Sequence, residues 1–288
     1  MPETRLIELA DGRELAWVEY GDPHGMPVMA FHGSPGTRNF FEPVADVAEQ
    51  KGVRLISPDR PGYGHSTYHP GRTFESWARD VGQLGEHLGA DRFAVIGASS
   101  GGPNAASCAR FLADRVVGSA LVSSPAPPEV GPYPGAMSVA NRVVQQLSMV
   151  APRLMGSVFE AGLRWAQRRP DRALIAAGRS MPTCDAAVME RPEIRSAMRN
   201  ELARPVSPTA GRAAVQDLRL ELRPWGFRLR DIEGSVDVWH GEMDPHIPVA
   251  SARYQADEIP RATLQERPDD GHFIVYRRFE EILDKLLV

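Results

Sequence analysis

Two adjacent serines stand in the stretch Val95-Ile96-Gly97-Ala98-Ser99-Ser100-Gly101-Gly102, each inside a small-x-Ser-x-Gly frame. A serine hydroxyl becomes a nucleophile only when a base takes its proton and a third group orients that base. The local text leaves two frames open, Gly97-x-Ser99-x-Gly101 and Ala98-x-Ser100-x-Gly102. A nucleophile held on a sharp strand-to-helix turn crowds the positions two before and two after it, and glycine tolerates that crowding best. Only the first frame has glycine at both positions, which favours Ser99. For the base, neutral imidazole suits the task near pH 7. Of the eight histidines, His272 lies in Asp269-Asp270-Gly271-His272-Phe273, just before the last helical pattern. The orienting carboxylate is read as Asp244 in Trp239-His240-Gly241-Glu242-Met243-Asp244, with Glu242, Asp269 and Asp270 as neighbouring candidates. The chemistry implied is acyl transfer through a Ser99, His272, Asp244 triad.

Such residues need elements that bring them to one edge. Short apolar runs alternate with helical patterns along most of the chain, the signature of an α/β fold on a mostly parallel sheet. Strands are predicted at Arg5 to Leu9, Leu15 to Tyr20, Val28 to Phe31, Val53 to Ser57, Phe93 to Ile96, Val116 to Val122, Val236 to Trp239 and Thr263 to Glu266. Ser99, Asp244 and His272 each follow one of them, so a parallel sheet would gather them at its C-terminal edge, where ligands bind in open α/β folds. Phe74, Trp77, Val81, Leu84 and Leu88 recur at helical spacing with Arg79, Asp80, Gln83 and Glu86 between them, predicting an amphipathic helix. Tyr276, Phe279, Ile282, Leu283 and Leu286 predict a last helix of the same kind. Between residues 126 and 226 the strand signals stop. Only helical patterns remain there, such as Val139, Val143, Leu147 and Ile194, Met198, Leu202, with Pro-rich text at both edges. The chain therefore divides into a core at 1–125 and 227–288 and a helical insertion at 126–226.

Composition narrows the function classes. The net charge of -4, with 42% hydrophobic and 24% charged residues, argues against a nucleic-acid or anionic-membrane partner. Residues Met1 to Ala16 offer no uninterrupted apolar stretch for export, and no run approaches the roughly 18 apolar residues of a membrane span. A cytoplasmic protein is expected. Cys108 and Cys184 are too few for a disulfide framework and lack metal-type spacing, so neither metal nor cofactor is expected. The insertion carries fourteen arginines against nine carboxylates, and six of the ten methionines (Met137, Met149, Met155, Met181, Met189, Met198). A positive lid could attract an anionic substrate, but a solvated helical face is the preferred reading of the charge. The methionines suit either an apolar pocket or plain packing.

The ordered motifs His32-Gly33-Ser34-Pro35-Gly36, Asp59-Arg60-Pro61-Gly62-Tyr63-Gly64-His65-Ser66, Gly97 to Gly102, His240-Gly241-x-x-Asp244 and Gly271-His272 resemble those of the α/β-hydrolase superfamily. Within it the chain resembles capped, serine-nucleophile members related to haloperoxidase-like esterases and proline iminopeptidases. The eight predicted strands make one large sheet, and the resemblance implies a cap or lid formed by the insertion and an oxyanion hole of two backbone N–H groups. Pro35 has no N–H, so the matching donors are Ser34 and Ser100. His32, Asp59, Arg60 and His65 are read as loop-shaping hydrogen bonders rather than catalysts, and His240, just before the Asp244 loop, as packed. His246 follows Asp244 closely enough to reach the pocket but is read as structural. A serine at this turn argues against the dehalogenase and epoxide-hydrolase branches, which use aspartate there. The expected activity is cofactor-independent hydrolysis of an ester, thioester, lactone or small amide whose small-molecule substrate has an apolar part. Homo-oligomerisation stays open. An aminopeptidase would need insertion carboxylates for the substrate ammonium, and Glu160, Glu190, Glu193 and Glu201 are candidates by position. Carbon-carbon bond hydrolysis and perhydrolysis are compatible with the same triad, and a non-catalytic small-molecule-binding protein is compatible with the same fold.

Overall fold

The computed structural model describes residues 2–130, 139–179 and 181–287. Its strands are β1 (Arg5–Glu8), β2 (Glu14–Gly21), β3 (Met26–Phe31), β4 (Val53–Pro58), β5 (Phe93–Ala98), β6 (Val116–Val122), β7 (Val236–Gly241) and β8 (Ala262–Arg267). All eight form one sheet in the order β1-β2-β4-β3-β5-β6-β7-β8. The β1/β2 and β2/β4 pairs are antiparallel and the rest are parallel. The apolar runs of β3 to β7 are buried on both faces, as parallel strands covered by helices must be, whereas β1 and β8 at the sheet edges are exposed or half-buried. In β5, Phe93 and Val95 enter one core, whereas Ala94, Ile96 and Ala98 enter the other.

Helices α1 (Ala45–Gln50), α2 (Phe74–His87) and α3 (Gly102–Phe111) follow β3, β4 and β5, and α10 (Val249–Glu258), α11 (Ile274–Arg277) and α12 (Phe279–Leu286) belong to the last third. Thr73 caps α2: its hydroxyl accepts the Ser76 N–H at 3.0 Å while Ser76 Oγ accepts the Thr73 N–H at 2.9 Å. Phe74, Trp77, Val81 and Leu84 of α2 are buried against the sheet, as their spacing predicts. Asp80 departs from the pattern. It is buried because Arg13 from the β1–β2 hairpin donates to both its oxygens, at 2.8 and 2.6 Å. A buried carboxylate needs such a partner. The predicted last helix is two helices, α11 and α12, broken at Arg278, and the apolar stripe runs across the break.

Between β6 and β7 the chain runs through α4 (Val139–Val150), α5 (Pro152–Arg168), α6 (Pro170–Gly178), α7 (Thr183–Met189), α8 (Pro192–Ala203) and α9 (Ala210–Glu221). Strands β6 and β7 pair directly, Ser119 with Val236, so this helical segment is an excursion from neighbouring strands. Val188 of α7 and Ile194 of α8 join the core cluster that holds Ile274, Val275 and Phe279. Val143 and Leu147 of α4 are by contrast exposed, so their helical spacing does not mark a core face. Met137 lies outside the described residues. No helix among the described residues is long and apolar enough to cross a membrane.

Candidate active site

β5 is central in the sheet, and its C-terminal end runs into a single 3-10 turn, Ser99–Gly101, that leads directly into α3. Ser99 has φ of 52°, a left-handed conformation unfavourable for a side-chain-bearing residue. Sterics explain the glycines around it. A Cβ on Gly97 would stand 2.2 Å from the Gly101 carbonyl oxygen, and one on Gly101 would stand 2.1 Å from the Phe31 carbonyl oxygen. Gly102 is equally confined, by Ser124 Oγ at 2.1 Å. Of the two serines, Ser99 opens the turn in the left-handed conformation and Ser100 is the buried residue within it.

His272 follows β8, and its Nδ1 lies 2.7 Å from Asp244 Oδ2. Asp244, in the turn after β7, is fixed through Oδ1, which accepts the His246 and Ile247 N–H groups at 2.8 and 3.0 Å. The Asp244 side chain is fully buried. Burial pushes its pKa up, but the His272 charge and hydrogen bond, aided by His240 and the Ile247 N–H, bring it below the usual carboxylate value. Burial acts on His272 in the opposite sense, downward. The Asp244 charge and bond, with a further contribution from Asp185, outweigh it and raise the imidazole pKa above its ordinary value. The Nδ1–H is thus held by a carboxylate, leaving Nε2 as the nitrogen that can accept a proton.

A cavity of about 800 Å³ joins these groups: Ser99, Ser100, Ser34 and His272 all line it. Its wall is mostly apolar, with Phe40, Leu174, Met181, Met189, Met198, Leu202, Leu218 and Val275. His246 lines it as well, its ring 5.0 Å from that of His272 in edge contact. So do Asn141 and Arg142 of α4 and Glu201 and Glu221, which makes the helical segment one side of the cavity.

Ser34 belongs to the loop after β3, and a buried polar network shapes that loop. His32 is fully buried, with Nδ1 2.7 Å from the Gly33 carbonyl and Nε2 accepting the Arg60 N–H at 3.1 Å. Burial and the Arg60 charge keep this imidazole neutral, well below its ordinary pKa. Arg60 donates to the His32 and Gly33 carbonyls and to Asp217. Asp59 accepts the Arg38 and His65 N–H groups at 2.7 and 2.9 Å. His240 is buried, with Nε2 3.0 Å from the Ile247 carbonyl. These residues shape loops and do not line the cavity.

Three carboxylates from the helical segment reach the site without having been singled out in the sequence. Asp185 of α7 meets the His272 loop, while Asp217 and Glu221 sit four apart on one face of α9. Asp217 is buried among Arg60, Arg72 and Tyr63. Burial pushes its pKa up, but Arg60 and Arg72 prevail and hold it at about 2. Tyr63 in turn lies 2.7 Å from Ser34 Oγ, linking α9 to the Ser34 loop. Glu221 has Oε1 buried without a hydrogen-bond partner among the described residues, while its carboxyl meets the Ser100 hydroxyl. Burial, with the nearby Asp217 charge, raises its pKa to about 7 against the pull of the Ser100 bond, Arg60 and Arg72. Of the four positional candidates, Glu201 lines the cavity, Glu160 binds Arg164 and the Gly211 N–H, and Glu190 and Glu193 are exposed. The legible signal for α9 was Asp217 and Glu221 at i, i+4 beside Ala210, Ala213 and Ala214 on a helix otherwise facing inward. Among the described residues no three His, Cys, Asp or Glu side chains gather as a metal site.

The chain belongs to the alpha/beta hydrolase fold family, whose model matches residues 26–278. It is 34% identical over 121 residues to haloalkane dehalogenase 2 of Mycobacterium tuberculosis (strain ATCC 25618 / H37Rv), a match covering 41% of each protein. It is 31% identical over 110 residues to a probable proline iminopeptidase of Streptomyces coelicolor, covering 33% of this chain and 32% of that protein. The chain therefore spans less than half the length of these curated relatives. Among solved structures, an esterase from Exiguobacterium antarcticum superposes with a TM-score of 0.69 over 99% of this chain and 98% of that one, at 19% identity. That likeness is one of fold.

Proposed function

We propose that this hydrolase-fold chain is a cofactor-independent serine hydrolase acting on an ester, thioester, lactone or small amide. The observation that carries the reading is a single cavity lined by both Ser99, in its left-handed turn conformation, and His272, whose Nδ1 is held from behind by the buried Asp244. In this mechanism Ser99 Oγ attacks the carbonyl carbon as His272 Nε2 takes its proton, and Asp244 stabilises the imidazolium. The backbone N–H groups of Ser34 and Ser100 receive the negative charge that develops on the carbonyl oxygen; losing one such donor typically costs about 10²- to 10³-fold in rate. His272 then protonates the leaving group, and water activated by the same imidazole releases the acyl group. Helices α4 to α9 act as the cap, giving the substrate its apolar wall.

Similarity to a dehalogenase over 41% of the chain does not favour dehalogenation. Displacing halide by a carboxylate makes an ester that water can open, whereas displacement by Ser99 would leave an ether that neither His272 nor water can cleave. The aminopeptidase reading draws support from Glu201 and Glu221 on the cavity wall, two carboxylates able to meet an ammonium group. Aminoacyl and simple acyl chromogenic substrates separate the two. Dominant turnover of simple acyl esters favours the esterase reading, and dominant turnover of N-terminal proline amides replaces it with the aminopeptidase one.

The first test is a fluorophosphonate probe followed by adduct mapping. Label is expected on Ser99, and Ser99→Ala should lose the label together with roughly 10⁴-fold or more of any turnover. Label on Ser100, or turnover undiminished in Ser99→Ala, would remove this assignment.

A further inference from the structure

His272 is held from two sides. Asp244 grips its ring from the core, and Asp185 of α7 grips its backbone from the helical segment. Asp185 Oδ2 accepts the His272 N–H at 2.9 Å, and Oδ1 accepts the Phe273 N–H at 3.0 Å. The Asp185 residue is 2% exposed. The loop is cut to receive it: a Cβ on Gly271 would stand 2.5 Å from each carboxylate oxygen, so only glycine lets the side chain in. One turn along α7, Val188 packs in the cluster that also contains Ile274, Val275 and Tyr276, so apolar contact seats the same helix on the residues just past His272. A carboxylate accepting two backbone N–H groups is a strong, charge-assisted tie. Without it, two buried donors would lose their partner.

We propose that Asp185 is a positioning residue for His272, a latch through which the helical segment aligns the catalytic base only while it is seated on the core. This rests on the serine-hydrolase reading. A tie that merely stabilised the fold would leave the imidazole indifferent to it. Asp185 instead sits at the peptide of the base itself, and its charge adds to that of Asp244 in stabilising the imidazolium. Among the described residues the other ionisable groups facing His272 are Asp244 and His246, with His240 behind Asp244. None of these comes from the helical segment. Asp185 is thus the one group in this set whose removal reports on the segment's hold over the base.

The test is the rate of fluorophosphonate labelling at Ser99 between pH 5 and 9, for the wild-type chain, Asp185→Asn and His272→Ala. Asn keeps one acceptor oxygen but turns an NH₂ toward the second N–H and removes the charge. A misplacement near 1 Å can cost about 10²-fold, so labelling of Asp185→Asn should slow ~10- to 100-fold. Its acid limb should also move to lower pH, because a positive imidazole has lost a neighbouring anion. Wild-type labelling with an unchanged rate and acid limb in Asp185→Asn would overturn the latch and leave the hydrolase reading standing. No Ser99 labelling of the wild type would overturn both. Should Asp185→Asn fail to fold, hydrogen exchange on the unmodified chain decides. Protection of the His272 and Phe273 amides comparable to that of α7 supports the latch, and exchange at the rate of an exposed loop refutes it.

Discussion

At the residue scale, the decisive property of His272 is the sign of its pKa shift. Burial alone would lower it, yet Asp244 and Asp185 hold it above the ordinary histidine value. In the proposed mechanism His272 is the general base and must be neutral, so kcat/KM should rise with pH through a midpoint above about 6.5. Asp244→Asn removes the largest upward pull, leaving burial to act. Its midpoint should fall below the wild-type one while the rate drops by up to ~10⁴-fold. A pH profile of ester hydrolysis or of probe labelling checks both, and a midpoint that stays put in Asp244→Asn would mean that Asp244 does not face the imidazole. The residues of this pair were legible in the sequence because each stands at a fixed offset from a strand end. Asp185 was not, since a carboxylate on a helix acquires a role only from what the helix is packed against.

At the scale of elements, the turn between β5 and α3 is where sequence and geometry meet most tightly. The Ser99 frame asks for glycine at two crowded positions, and the close approaches of Gly97 to Gly101 and of Gly101 to Phe31 supply the reason. Gly101→Ala would drive a methyl into the backbone of β3, the strand that leads into the Ser34 loop. Overpacking of this kind costs about 1–3 kcal/mol. The variant should unfold at lower urea and lose Ser99 labelling beyond what its stability explains. Labelling at the wild-type rate would argue that the turn tolerates displacement. For α2 the loss is one of stability alone: Trp77, fully buried and edge-on to Phe31 at 5.3 Å, should cost ~3–5 kcal/mol as Trp77→Ala in urea unfolding. Periodicity made α2 readable from its apolar positions. It misread Asp80, because the Arg13 that buries it arrives from a hairpin sixty-seven positions away.

At the scale of the whole molecule, two buried carboxylates tie the helical segment to the core, Asp185 at the His272 loop and Asp217 at Arg60, Arg72 and Tyr63. No periodicity in the segment announced this, because the helices expose apolar residues such as Val150 and Leu154 while burying acids. Asp217 answers two arginines, so Asp217→Asn would strand buried positive charge and should destabilise the chain by about 3–5 kcal/mol. Glu221, one turn further along α9, has the opposite balance. Its folded pKa of about 7 exceeds the ordinary glutamate value, so the protonated form is the one the fold prefers. Its contribution to stability is therefore fully present below about pH 4.5 and is lost as pH rises through 7. Glu221→Gln keeps the shape and removes the charge. Relative to wild type, it should gain stability progressively from pH 5 to pH 8, on the order of 1–3 kcal/mol at the upper end. Melting temperatures of the two proteins across that range decide it. A difference that does not grow with pH would mean that the carboxylate finds a compensating partner in solution, and Glu221 would then stand in the cavity as a fixed anion facing the substrate.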